Sequence, residues 1–158
     1  GANLGDDITY SGTVCAAMEA ALMGFPAIAF SLDSREFTVD DLARASAVVD
    51  YVVALVLTSG LPPGTFLNVN IPAGPINGIS VTCQGKRHYG EGIVQKIDPR
   101  GRSYYWIGGA NPGFEDIPGS DCSAIAAGQV SITPLRTGLT SESALQLLAD
   151  WPLSFVMD

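Results

Sequence analysis

One exchange of hydrophobic period, between Thr38 and Pro72, restricts what this chain can fold into. Thr38 and Asp41 have the spacing of a capping box, with Asp in the place of the usual Glu. Leu42, Ala45, Val49, Val52, Val53 and Val56 then mark one face of a helix, which Gly60-Leu-Pro-Pro closes. Directly afterwards Leu67, Val69 and Ile71 alternate with Asn68 and Asn70, the period of a strand. A helix period handed on to a strand period over so short a connection predicts α/β packing.

The same rhythm precedes this segment. Residues 1–10 read as loop, because Gly1, Asn3, Gly5, Asp6 and Asp7 are turn formers. Ser11 stands before Val14, Ala17, Met18, Ala21 and Leu22, one face of an amphipathic helix that Gly24 and Pro26 stop. Ala27–Ser31 is a short apolar run and reads as a buried strand. Ile79, Val81 and Cys83 alternate like a further strand.

After Gly85 the texture changes. Lys86–Gly92 is polar and Gly-rich, and Ile93–Ile97 and Ser103–Ile107 flank Asp98-Pro-Arg-Gly101. Asp at i, Pro at i+1 and Gly at i+3 fit a type I turn, so these runs predict a hairpin. A loop over 108–119 leads to a short helix over 121–127 capped by Ser120, a strand over 130–134, and a last helix near Thr140 carrying Ala144, Leu145 and Leu148. The expected organisation is a single domain, 1–158. It has an α/β core portion (1–85), a hairpin arm (86–107) and a carboxy-terminal extension (108–158).

Composition narrows the function. Lys+Arg 8 against Asp+Glu 16 in 158 residues gives a formal charge of −8. Without a basic stripe the chain is not expected to bind a nucleic acid polymer. Any phosphate it binds must be met by backbone amides or a metal. The longest apolar run, Val48–Leu57, is interrupted by Asp50 and too short to span a bilayer, so no membrane partner is expected. Cys15, Cys83 and Cys122 form no C-x-x-C pair, read as buried small hydrophobes, and fit a reducing, cytoplasmic compartment. The chain opens without Met inside a Gly/Asn-rich loop, and an amino-terminally truncated sequence is expected.

The residue types that could carry chemistry are few. Ser11-Gly12-Thr13 begins a helix, where unpaired N–H groups and a positive dipole end suit a phosphate dianion. Gly12 allows close backbone approach, and the Ser11 and Thr13 hydroxyls can donate. Equally, Ser11 is an ordinary N-cap, worth about 0.5–2 kcal/mol. The loop lacks a P-loop lysine. Asp6-Asp7 offers carboxylates to a hard cation, or simply complements the helix dipole and is solvated. Asp40-Asp41 reads as helix-start chemistry and Glu115-Asp116 as a solvated loop. His88, the one histidine, sits in an exposed Lys-Arg-His-Tyr loop, where Arg87 or His88 could contact substrate. Tyr104-Tyr105-Trp106 could stack on a nucleobase, pack across strands or form an oligomer contact.

The run from Gly1 to Val14 (Gly-Ala-Asn-Leu-Gly-Asp-Asp-Ile-Thr-Tyr-Ser-Gly-Thr-Val) resembles the loop–helix motif of the SurE family, the survival-protein-E nucleotidases. The resemblance continues through Gly24–Ser31, Leu67–Pro72, Asp98–Gly101 with Tyr105-Trp106, and Gly128–Leu135 with Leu139-Thr140. Gln129 and Gly138 depart from it, standing where Tyr and Asp are usual.

The resemblance implies a three-layer α/β/α Rossmann-like domain lacking its amino-terminal part, with a protruding β-hairpin and a carboxy-terminal helix. It implies a metal-dependent phosphomonoesterase (5'-nucleotidase) acting on nucleoside 5'- and 3'-monophosphates, with short polyphosphate as a further substrate class. It also implies a homodimer or homotetramer. The Mg²⁺ or Mn²⁺ ligands of the family would lie ahead of Gly1, so no metal ligand is expected here and Asp6-Asp7 is not the catalytic pair. Asn3 and Ser11 match catalytic positions, and Ser11, Gly12 and Thr13 are expected to neighbour phosphate. This segment by itself is expected to be nearly inactive. The alternatives are a catalytically inactive nucleotide- or phosphate-binding module, or an oligomerisation segment.

Overall fold

The computed structural model describes residues 1–89, 93–107 and 113–155. After a 3-10 helix (Gly5–Tyr10) come α1 (Gly12–Leu22), β1 (Ile28–Asp33), α2 (Val39–Ser59), β2 (Thr65–Pro72) and β3 (Ile79–Val81). β4 (Arg87–His88), β5 (Ile93–Ile97), β6 (Ser103–Ile107) and β7 (Gly113–Phe114) follow, then α3 (Asp121–Ala126), β8 (Val130–Arg136) and α4 (Glu142–Ala149).

The main sheet has the order β1-β2-β8-β3. β1 and β2 run parallel, with Ile28 opposite Leu67 and Ser31 opposite Asn70. β8 runs antiparallel to β2, and β3 parallel to β8. Residues 130–136, expected in a carboxy-terminal extension, thus lie inside the sheet.

Two helices sandwich this sheet because the strands bury both faces. On one, Val48, Val52 and Val56 of α2 pack on Leu67, Val69, Ile71 and Val130. On the other, Val14, Ala17 and Ala21 of α1 pack on Ala27, Ala29 and Phe66. The capping box forms as its spacing requires: Thr38 Oγ1 accepts from Asp41 N (3.1 Å) and Asp41 Oδ2 accepts from Thr38 N (2.9 Å). Two further donors, Gly74 N and Arg44, occupy Asp41 Oδ1. Together these bonds, led by the Thr38 backbone N–H, hold the Asp41 carboxyl well below the usual range.

Several expectations are corrected. Residues 5–10 are a 3-10 helix, not loop. The buried stripe of α2 runs through Val48, not Val49, because Asp41, Val48, Val52 and Val56, with the partly buried Ala45, keep the 3.6 period. Leu42 and Leu22 are exposed. Of the cysteines only Cys122 is buried. The run Val48–Leu57 belongs to a 21-residue helix that is long and apolar enough to cross a membrane by length and composition. Here its Val stripe is the core of one layer.

The hairpin forms as predicted. Gly101 N donates to Asp98 O (2.9 Å), and Asp98 Oδ1 accepts from Arg100 N and Arg102 N. The expected loop 108–119 contains β7, which pairs with β4; residues 108–112 lie outside the described residues.

Candidate active site

The sheet face beneath α1 changes character along its length. Ala27, Ala29 and Phe66 are apolar, but toward the carboxyl ends of β1 and β2 the same face carries Ser31, Asn68 and Asn70, joined from β8 by Ser131 and Thr133. Asn68 and Asn70 are fully buried, so their amides require partners. Asn3 supplies them.

The Asn3 N–H donates to Asn70 Oδ1 (2.7 Å), and its carbonyl accepts from Asn70 Nδ2 (3.0 Å) and Asn68 Nδ2 (2.8 Å). One side-chain amide therefore grips both the N–H and the C=O of a single residue, as a neighbouring strand would. The Asn3 side chain donates from Nδ2 to Ser31 Oγ (2.6 Å). Asn68 Oδ1 has no partner among the described residues. Beneath, Thr82 Oγ1 bonds Ser131 Oγ (2.8 Å) and Thr133 Oγ1 (2.7 Å), which completes a polar floor.

From Asn3 the chain turns through the 3-10 helix into α1. Ser11, in extended backbone conformation, accepts the Val14 N–H on Oγ (3.2 Å) and is buried. It is therefore a cap. That bond uses the oxygen as acceptor and leaves the O–H free to donate. Gly12 and Thr13 are exposed, and their amides, in the first helical turn, have no intrahelical acceptor. The 3-10 helix thus separates two parts of the predicted site, Asn3 before it and Ser11-Gly12-Thr13 after it. Among the described residues no hydrogen bond joins Asn3 to Ser11.

The other candidates are partnered elsewhere. Asp7 faces the arm's neck: Tyr89 OH donates to its Oδ1, and Arg87 Nε lies 3.5 Å from its Oδ2. Arg87 also lies over the Tyr89 ring, 5.7 Å from the centroid. Burial, and then the bond to Asp7, pushes the Tyr89 phenol up to about 12. Asp7 is thus an ion-pair partner, which corrects the reading of Asp6-Asp7 as solvated. Glu115 is corrected likewise. It sits 3.0 Å from Lys86 Nζ and 3.4 Å from His88 Nε2, and the Lys86 pairing lowers its carboxyl and raises the lysine. His88 is on β4 rather than in a loop. Tyr104, Tyr105 and Trp106 lie exposed on β6, opposite Lys96, Gln95 and Val94.

No three His, Cys, Asp or Glu side chains come together among the described residues. Both oxygens of Asp121, the one fully buried carboxylate among the described residues, are taken by backbone N–H groups. The donors present do not fit a divalent-cation site by themselves.

No motif or spacing in the sequence marks Ser31, Asn68, Asn70 or Asp121 as site residues. The Asn-x-Asn alternation in β2 reads equally well as a half-solvated strand.

Helices on both faces of a sheet, with a polar loop bonded to the side chains of two parallel strands, define a Rossmann-like three-layer α/β domain whose candidate site lies at that edge. The family follows from comparison. Residues 1–91 match the model of survival protein SurE, and the chain belongs to the SurE family. The 5'-nucleotidase SurE of Syntrophotalea carbinolica is 50% identical over 158 residues, covering 100% of this chain and 63% of that protein. The 5'-nucleotidase SurE of Geobacter sulfurreducens is 53% identical over 157 residues, covering 98% and 60%. The crystal structure of the SurE protein from Aquifex aeolicus matches with a TM-score of 0.73 and 42% identity, covering 95% of this chain and 62% of that one. The chain therefore spans about three fifths of the length of these relatives.

Proposed function

We propose that this chain is part of a nucleotide phosphomonoesterase that hydrolyses nucleoside 5'- and 3'-monophosphates, with short polyphosphate as a further substrate class. The observation that carries the reading is the pinned Asn3. Three side chains, two of them fully buried, fix its backbone and amide just ahead of the 3-10 helix that leads into α1. A phosphomonoester is a dianion, and its uncatalysed hydrolysis is among the slowest known. Fixed N–H and O–H donors stabilise the charge on its oxygens without reorganising. In this reading the Gly12 and Thr13 amides and the Ser11 hydroxyl bind the phosphoryl oxygens. Asn3, held by Ser31 and Asn70, orients the reacting group.

A divalent metal, Mg²⁺ or Mn²⁺, belongs to this proposal, with its ligands supplied by parts of the full-length protein outside residues 1–158. The exposed aromatics of β6 and the exposed Leu145 and Leu147 of α4 support a homodimer or homotetramer. The net charge of −8 argues against a nucleic acid polymer as partner. Cytoplasmic residence, away from membranes, completes the reading.

The full-length protein should release phosphate from AMP and from a 3'-monophosphate at roughly 1 s⁻¹ or more with Mn²⁺ or Mg²⁺, and little with EDTA. Turnover indifferent to EDTA, or none on any phosphomonoester, would overturn the proposal.

A further inference from the structure

We infer that Asp121 is a positioning residue, whose buried carboxylate holds the Asn3 loop in register with the neck of the hairpin arm. The inference rests on the proposed role of Asn3.

Asp121 is 0% exposed. No cation is paired with it among the described residues. Its Oδ2 accepts from Gly5 N (2.9 Å), and its Oδ1 from Gly85 N (2.8 Å) and Cys122 N (2.8 Å). Those amides belong to three segments far apart in sequence: the start of the 3-10 helix after Asn3, the connection between β3 and β4, and the start of α3. A buried charge without a counter-ion is expensive, and apolar side chains would fill the same volume more cheaply. Several backbone N–H bonds are what make a buried carboxylate tolerable. The segments at Cys83 and α3 are also joined by their backbones, Cys83 N donating to Gly119 O (3.0 Å) and Asp121 N to Cys83 O (2.9 Å), and the carboxylate adds Gly5 to that junction.

The glycines complete the clamp. Gly5 has φ +53, and a Cβ there would meet Gly85 O at 3.0 Å. A Cβ at Gly85 would lie 2.7 Å from Asp121 Oδ1 and 2.9 Å from Cys122 Sγ. The two backbones approach one carboxylate at a distance only residues without side chains allow.

The clamp touches the site at one remove. Gly5 is two residues after Asn3, whose own backbone is gripped by Asn70. Gly85 directly precedes Lys86, Arg87 and Tyr89, and the last two engage Asp7 on the 3-10 helix. The arm's neck and the Asn3 loop therefore meet at two places, one buried at Asp121 and one at Asp7. A shift of either segment must be transmitted to the other or break these bonds.

Asp121→Asn in the full-length protein tests this. Asparagine keeps the shape, but its NH₂ turns a donor toward one of the three N–H groups. The expected result is a loss of at least tenfold in kcat on AMP, with KM changed less than threefold, measured well below the variant's Tm. The Asn3 and Gly5 amide signals should shift in NMR spectra. Lower Tm with unchanged kcat and unchanged Asn3 signals would make Asp121 a packing residue and overturn the inference.

If the variant does not fold, wild-type native-state hydrogen exchange decides. Gly5 and Gly85 should share one opening free energy and exchange together; independent exchange would overturn the clamp. If the wild type hydrolyses no phosphomonoester, the functional reading has failed, and the same exchange measurement still tests the coupling.

Discussion

Replacing Ser11 by Gly in the full-length protein separates the two things its hydroxyl can do. As a cap, Ser11 Oγ accepts one hydrogen bond from Val14 N at 3.2 Å. Losing it to Ala costs about 0.5–2 kcal/mol, and losing it to Gly only a few tenths, since Gly is a tolerable cap. In a domain of roughly 150–250 residues a kilocalorie is worth roughly 2–4 °C in Tm, so Ser11→Gly should lower Tm by about 1 °C. As a phosphate donor, the O–H left free by the cap bond acts on a charged acceptor. Such a bond is worth about 1.5–3 kcal/mol, or about 10- to 150-fold in rate. Thermal melts and AMP kinetics on the same preparations read the two effects apart. We expect Ser11→Gly to melt near wild type and to lose at least about tenfold in kcat/KM. Ser11→Ala should lose as much activity and more stability. Wild-type kinetics in Ser11→Gly would refute the phosphate contact and leave Ser11 a helix cap.

Two further outcomes follow from the packing. Asp41 has its folded pKa depressed by four hydrogen bonds, so its stabilisation is present above the ordinary carboxylate pKa and is lost as pH falls toward the folded value. Denaturant melts should show Asp41→Asn clearly less stable than wild type at pH 7, with the gap narrowing at pH 3; a gap that widens in acid would contradict this assignment. Cys122 is buried and its thiol is pushed up to about 12, first by desolvation, whereas Cys15 and Cys83 are exposed. At pH 8 a thiol reagent should modify two cysteines quickly and Cys122 only at the rate of unfolding. Rapid modification of all three, read by peptide mass, would show that α3 opens locally.

The sequence carried most of the framework because its signals were local. Thr38 and Asp41 are three residues apart, Asp98 and Gly101 likewise, and each pair closes its own hydrogen bonds. The stripe of α2 was misread by one position because valines occupy both 48 and 49, and only the packing on Val69 and Val130 chooses between them. The site was less readable. Ser11-Gly12-Thr13 is legible as a helix start and Asn3 comes from resemblance, whereas the partners that hold Asn3 and Gly5 sit 28 to 116 residues away, at Ser31, Asn70 and Asp121. No periodicity marks a residue that acts across such distances. Asp7 looked solvated for the same reason, since its partners Arg87 and Tyr89 lie about 80 residues on.

Asn3→Ala tests the central claim most directly, because the structure separates the Asn3 side chain from its backbone. The bonds to Asn70 and Asn68 use only the backbone N–H and carbonyl, so the loop stays gripped when the side chain is cut back. Only the contact with Ser31 Oγ is lost. In the full-length protein with Mn²⁺, Asn3→Ala should keep Tm within about 4 °C of wild type, corresponding to roughly 1 kcal/mol, and lose at least about tenfold in kcat on AMP. A variant that folds and turns over AMP at the wild-type rate would contradict the placing of the active site at this loop.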